Sequence, residues 1–230
     1  MPDAARLRDA LLRPAGASSD FDLNPAIQLP PGRVLRPAAV LVAVWGDQLL
    51  LTKRSSRLKH HPGQIAFPGG KLDATDPSLE AAALRESREE VGLPEDLVEI
   101  WGRLPTHETV TGFMVTPVLG QITAEFRPIP EAGEVDEVFT VPLAHVLDPK
   151  AYVIERRRWR GEWRRYYAVP YGPYYIWGAT ARILRGLAER VARGGLQGIG
   201  WRSPARRPCA RRWRRRGIGR CLWAAVSAMR

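Results

Sequence analysis

Three carboxylates stand close together in the segment Leu84-Arg85-Glu86-Ser87-Arg88-Glu89-Glu90-Val91-Gly92-Leu93. On a helix advancing roughly 100° per residue, Glu86, Glu89 and Glu90 share about 100° of arc, while Ala81, Leu84 and Val91 take the opposite side. The three lie in the last turns, where the helix dipole is already negative, so the dipole and their mutual repulsion both oppose the arrangement. A divalent cation reverses that penalty, and hard oxygen donors suit Mg²⁺ or Mn²⁺ better than zinc. Taken alone, the carboxylates also fit an ordinary solvated helix face, since Glu is a good helix former. The surrounding residues add to the cation reading. Arg85 precedes Glu89 by four residues and can hold it by a charge-assisted bond. The Gly69-Gly70 pair lets backbone approach the helix closely, so that the Gly70 carbonyl could join the metal shell.

Elements of recognisable type must position these groups. The acidic helix is expected from about Pro77 to Val91, with Asp76 as cap, Pro77 in the first turn and Gly92 at a left-handed exit. Upstream, the run from Ala38 to Trp45, the turn residues Gly46-Asp47 and then Leu49-Leu50-Leu51 predict a buried hairpin. Lys53 to Gly70 is polar and rich in Gly and Pro, hence loop-like. Later strands are expected at 98–101, 113–119, 122–126 and 137–141, with 152–156 pairing 164–169 across Gly161. A final helix is expected from Tyr175 to Val191, with Ile176, Thr180, Ile183, Leu184, Leu187 and Val191 on one stripe. Strands interleaved with two helices in mixed order predict an α/β sandwich rather than a doubly wound parallel sheet.

The run from Gly70 to Leu93 resembles the signature box of the Nudix hydrolases: a Gly, five residues, Glu, seven residues, then Arg-Glu-aliphatic-x-Glu-Glu-x-Gly-aliphatic. Gly70, Arg85, Glu86, Glu89, Glu90, Gly92 and Leu93 match. Asp76 stands at the first Glu, one extra residue separates it from Arg85, and Ser87 replaces the aliphatic position. Leu50-Leu51-Thr52-Lys53-Arg54-Ser55, Lys59 four residues on, Gly63 and Phe67-Pro68-Gly69-Gly70 are similar to the additional motif of the coenzyme A pyrophosphatase branch. Asp136 to Phe139, Val141-Pro142-Leu143 and Ile176 to Thr180 share that likeness, which spans about residues 36 to 190. The resemblance implies an α/β/α sandwich with a mixed sheet. It also implies attack of cation-activated water on one phosphorus of a pyrophosphate, giving 3′,5′-ADP and 4′-phosphopantetheine from coenzyme A. Glu86, Glu89, Glu90 and the Gly70 carbonyl would hold the cation, with Arg85 beside them. Arg54, Arg57 and Lys59, in a loop with His60 and His61, would meet phosphate together with Lys71. The general base is left open among Glu89, Glu90, Glu134 and Glu137.

Bulk properties narrow the function classes. The 230 residues carry a net charge of +11. From Gly194 onward there are ten arginines and no Asp, Glu or Lys, so residues 1–193 are close to neutral. The chain therefore divides into a short helix and Pro-rich lead-in (1–35), the hydrolase domain (36–193) and an Arg-rich tail (194–230). The tail is expected to be disordered or not native coding sequence. Trp201, Trp213 and Trp223 interleave its arginines, which leaves a nucleic-acid-binding protein as the reading from another class. Residues 1–193 show no basic stripe, which argues against nucleic acid as a partner. Among enzymes the alternative substrates are ADP-ribose, dinucleotides or nucleoside triphosphates. A catalytically dead sensing scaffold fits poorly with a full set of Arg85, Glu86, Glu89 and Glu90. No apolar run approaches the ~18 residues of a membrane span, and two cysteines make no disulfide framework, so the expected compartment is the cytoplasm. A homo-oligomer is compatible with this reading.

Overall fold

The computed structural model describes residues 2–27, 29, 32–159 and 161–195. The tail beyond 195, with both cysteines and the expectation made for it, lies outside the described residues. Helix α1 (Pro2–Leu11) and strand β1 (Ser18–Ser19) open the chain, followed by β2 (Arg36–Trp45), β3 (Gln48–Arg54), β4 (Ile65–Ala66) and β5 (Gly69–Lys71). Then come α2 (Leu79–Val91), β6 (Val98–Arg103), β7 (His107–Glu108), β8 (Phe113–Ile122), β9 (Val135–Pro142) and α3 (Leu143–Val146). Strands β10 (Val153–Trp159), β11 (Glu162–Tyr171) and β12 (Tyr174–Trp177) precede α4 (Ala179–Gly195).

Strand β2 is apolar along most of its length because both of its faces are buried. Ala39, Leu41 and Ala43 join Ala82, Ala83 and Val91 of α2 in one core. Ala38, Val42 and Val44 join Leu184, Leu187 and Val191 of α4, with Leu7 and Ala10 of α1, in the other. The period-two alternation thus sets α2 on one side of a mixed sheet and α1 with α4 on the other. β2 runs parallel to β8 over its whole length, from Arg36↔Phe113 to Trp45↔Ile122. β3 is antiparallel to β9. The expected hairpin is present, with Gly46 at φ 64, but β2 and β3 pair only at Val44↔Leu49 and Trp45↔Gln48. Below that point the same edge of β2 takes up β5 instead, through Ala38↔Lys71, Ala39↔Gly70 and Val40↔Gly69. This exchange of partners brings the double glycine beneath α2.

Three local expectations are corrected. Residues 174–177 form β12, paired with β11, and α4 begins only after Gly178 at φ 66. Ile176 satisfies a helical stripe and a buried strand equally, and the run Tyr174-Tyr175-Ile176-Trp177 favours the strand. Ile122 ends β8 rather than starting a new strand, and Phe126 packs on Trp45 with ring centroids 5.0 Å apart. Helix α2 starts at Leu79 behind Ser78, whose side chain accepts from the Ala81 N–H, so Asp76 is not its cap. The exit at Gly92, φ 69, is as expected. Among the described residues no helix is long and apolar enough to cross a membrane.

Candidate active site

Helix α2 buries Ala82, Ala83, Ser87, Glu90 and Val91, so the stripe against the sheet is rotated from the Ala81–Leu84 face expected. Ser87, fully buried where the box has an aliphatic residue, satisfies its hydroxyl by donating to the Ala83 carbonyl at 2.6 Å. The rotation takes Glu90 out of water, to 6% exposure. Its Oε2 accepts from the Gly69 N–H at 3.1 Å. Burial pushes the Glu90 carboxyl up to about 7; the Gly69 N–H and the Arg54 charge act against the rise, and Glu86 and Glu134 add to it. Burial also raises Glu86, against the pull of Arg85. Glu86, Glu90, Glu134 and Arg54 therefore share one electrostatic neighbourhood.

The backbone requires glycine at Gly69 of β5, and at Gly70 a Cβ would shift a carboxyl group of this set. At Gly69, φ 149, a Cβ would run into the Ala39 carbonyl and the Val40 backbone. At Gly70 it would occupy the place of the Glu86 carboxyl group. The Gly70 backbone thus passes directly against a carboxylate, as a carbonyl ligand beside a carboxylate ligand must.

Arg85 is the hub of the outer carboxylates. Its Nη1 donates to Glu89 at 2.9 Å, as the i,i+4 spacing predicts, and lies 3.1 Å from Glu86. Its Nε and Nη2 grip Asp76 bidentately at 2.9 and 3.0 Å, and Nη2 also reaches the Lys71 carbonyl at 3.2 Å. That grip, with the Asp73 N–H, holds the Asp76 carboxyl below its usual range. Asp76, nine residues from Arg85 and outside the helix, clamps the β5–α2 connection; no helical spacing could have revealed the pair.

Among the described residues no three acidic or imidazole side chains converge as a finished cation cage. Glu89 is turned to Arg85 and Glu90 to Gly69. The donor set nevertheless fits a divalent cation: hard oxygens, a buried carboxylate raised in pKa, and a backbone held against Glu86 at a position where a side chain would clash.

The basic loop is pinned where β3 ends. The Arg54 N–H donates to the Gln64 carbonyl and the Gly63 N–H to the Arg54 carbonyl, both at 3.0 Å, closing its base. Ser55 N–H donates to the Glu134 carbonyl at 2.8 Å and Ser56 N–H to Asp136 at 2.9 Å, which lowers the Asp136 carboxyl. Glu134 is thereby held beside the loop. Glu137 is engaged elsewhere: it accepts from the Tyr174 hydroxyl, whose ring stacks on Phe139 at 3.6 Å. Arg54 is half-buried, while Arg57, Lys59, His60, His61 and Lys71 are exposed, and His61 is left-handed at φ 55. Among the described residues Arg57, Lys59 and Lys71 make no ion pair. The anchoring roles of Asp76, Asp136 and Tyr174 had no local signal in the sequence.

The family model for the NUDIX domain matches residues 35–160. The uncharacterized Nudix hydrolase NudL of Enterobacter sp. strain 638 is 46% identical over 159 residues, covering 68% of this chain and 83% of that protein. Its namesake from Pectobacterium atrosepticum is 42% identical over 190 residues, covering 77% and 96%. The chain belongs to the Nudix family. Among solved structures, the MutT protein of Methanosarcina mazei Go1 is similar at 19% identity and a TM-score of 0.46, covering 72% of this chain and 99% of that one. As a Nudix pyrophosphatase the protein acts with divalent cations on small nucleotide-like substrates. Its Nudix box is the β5–α2 unit described above.

Proposed function

We propose that this Nudix enzyme hydrolyses the pyrophosphate of coenzyme A and its derivatives to 3′,5′-ADP and 4′-phosphopantetheine, in the cytoplasm. The observation that carries the reading is the basic loop. Among the described residues Arg57 and Lys59 are exposed and without carboxylate partners, and the loop bearing them is tied by Asp136 and Ser55 to the strand that begins beside Glu134. A substrate with a third phosphate outside its pyrophosphate gives such a loop something to bind.

Glu86, Glu89, Glu90 and the Gly70 carbonyl would hold Mg²⁺ or Mn²⁺, which when bound lowers the pKa of water and offsets phosphate charge. Glu134 is the base in this reading: its charge acts on both Glu86 and Glu90, whereas Glu137 is occupied by Tyr174. It takes the proton of the attacking water as the new P–O bond forms and the bridging P–O bond breaks. Arg85 keeps Glu86 and Glu89 aligned through its Asp76 clamp, and Arg54 and Lys71 add positive charge near the departing phosphate.

The test is to incubate the full chain with Mg²⁺ or Mn²⁺ and, separately, coenzyme A, dephospho-coenzyme A, ADP-ribose, a dinucleotide and a nucleoside triphosphate, identifying products by mass. The expected result is the highest kcat/KM for coenzyme A, with 3′,5′-ADP as product. A higher value for ADP-ribose, the dinucleotide or the triphosphate overturns the assignment of substrate.

A further inference from the structure

Helix α4 carries a charge that the catalytic account does not use. Arg190 is 5% exposed, so its guanidinium is almost wholly removed from water. Its Nη2 donates to the carbonyls of Leu11 at 3.1 Å and Arg13 at 3.0 Å, where α1 ends. Its Nε and Nη1 are buried without a hydrogen-bond partner among the described residues. No carboxylate there pairs with it. Burial lowers the Arg190 pKa, and the like charge of Arg13 adds to that effect. Glu189, next in sequence, is held by Arg185 at 2.9 Å, and Arg13 is itself paired with Asp9. From Gly194 onward the sequence has no Asp or Glu, so that segment brings no carboxylate side chain to neutralise Arg190.

Arg190 also stands where two clefts meet. One, of about 260 Å³, is bounded by Ser18, Leu104, Arg182, Arg193 and Glu189, the carboxylate that Arg185 holds; the other, of about 440 Å³, by Arg13 and Arg103. Arg103 is engaged by Glu80 and Arg182 by Asp22, which leaves Arg190 and Arg193 as the cations without carboxylate partners among the described residues around the clefts. None of the catalytic carboxylates lines either cleft. A buried guanidinium with an unused edge is costly unless an oxyanion completes it, and the planar fork matches phosphate oxygens.

We propose that the α1–α4 junction is a binding site for a phosphate-class oxyanion, free or as a monoester, held by the Arg190 guanidinium, whose Nε/Nη1 edge is uncovered as the anion enters, with Arg193 as the second cation. Because Arg190 grips the end of α1 through two carbonyls, occupancy joins α1 to α4 and raises the stability of the whole fold.

The experiment is a thermal-melting titration of the full chain in chelator, which keeps the cation site out of the measurement. Inorganic phosphate, glycerol phosphate and acetate are each compared with sodium chloride at matched ionic strength. A saturable rise in Tm of a few degrees is expected with the two phosphates and not with chloride or acetate. A larger rise with glycerol phosphate marks a monoester as the preferred source; a larger rise with inorganic phosphate marks the free anion. Arg190→Met should abolish the response. Should that variant fail to fold, Arg193→Ala, an exposed change, should weaken it several-fold. The double change Arg57→Ala with Lys59→Ala should leave it intact. Equal shifts with chloride, an unchanged response in Arg190→Met or Arg193→Ala, or loss of the response in the loop variant would each overturn the site.

Discussion

The two helices that cover the central sheet, α2 and α4, each take one charge out of water, and the charges have opposite signs. On α2 the buried Glu90 accepts one backbone N–H and lies among further carboxylates, with Arg54 in electrostatic reach. On α4 the buried Arg190 donates to two carbonyls and has two nitrogens unused among the described residues. Apolar residues of similar volume would pack at either place with less loss of solvation, so packing explains neither charge. The difference lies in what surrounds them. Arg85, Asp76 and the double glycine organise several oxygens around Glu90, the setting for a divalent cation. Arg190 is an isolated fork fixed in direction, the setting for a single oxyanion. The proposed catalysis is assigned to the first region because, among the described residues, carboxylates and a basic loop come together there.

The comparison breaks most readily at Gly70. A Cβ at this position displaces the Glu86 carboxyl group without disturbing a left-handed backbone. Gly70→Ala should therefore lower kcat on the order of a hundredfold with little change in Tm. Activity close to wild type, measured under saturating cation, would remove Gly70 and Glu86 from the cation shell.

A second test uses pH. In the metal-free protein the folded Glu90 pKa is about 7, above its unfolded value of about 4.5, so the native state binds more protons between these limits. Stability in chelator should fall as pH rises from about 4.5 through 7 and level off above, by roughly 3 kcal/mol at most for this group. Glu86, raised in the same direction, adds to the slope, while His61, lowered chiefly by burial, opposes it below about pH 6.5. Glu80, held down to about 2 by Arg103, acts with the opposite sign and only below about pH 4.5, where its contribution is lost on acidification. Denaturant unfolding at pH 5 and pH 7.5 checks the sign; a metal-free protein that is more stable at pH 7.5 contradicts it.

Much of the α2 region was legible because its signals are local. The carboxylate spacing, the Arg85–Glu89 pair and the Gly92 exit all follow from one helical turn or less. The burial of Glu90 was not, because a polar residue on a helix is assigned to the outside by pattern, and only the sheet beneath decides which stripe is covered. The clamp of Arg85 by Asp76 spans a loop, and strands β1, β4, β5 and β7, of two or three residues each, are too short to carry a period. On the α4 side, Ile183, Leu184, Leu187 and Val191 were readable as a buried stripe, yet Arg190 is not part of that stripe; its burial depends on α1, some 180 residues away in sequence.

Two smaller effects sharpen the assignment of the loop and of the tail. Coenzyme A should be hydrolysed with a higher kcat/KM than dephospho-coenzyme A, and Arg57→Ala with Lys59→Ala should narrow the gap roughly tenfold, chiefly through KM. Equal kcat/KM for the two substrates in the unaltered enzyme would dissociate the loop from the third phosphate. Deleting residues 196–230 should change neither coenzyme A hydrolysis nor Tm beyond experimental scatter. Loss of most activity in matched metal and salt would make that segment part of the enzyme.

The most direct test of the account is a Mn²⁺ titration of Tm, read alongside coenzyme A turnover, for the wild type and Glu90→Gln. The substitution keeps the shape of the side chain and removes a buried charge that burial already disfavours. The variant should therefore melt at or above the wild-type temperature in chelator, gain little from Mn²⁺ where the wild type gains several degrees, and retain on the order of a thousandth of the turnover. A variant that responds to Mn²⁺ as the wild type does and keeps activity within about threefold of it would show that Glu90 holds no catalytic cation.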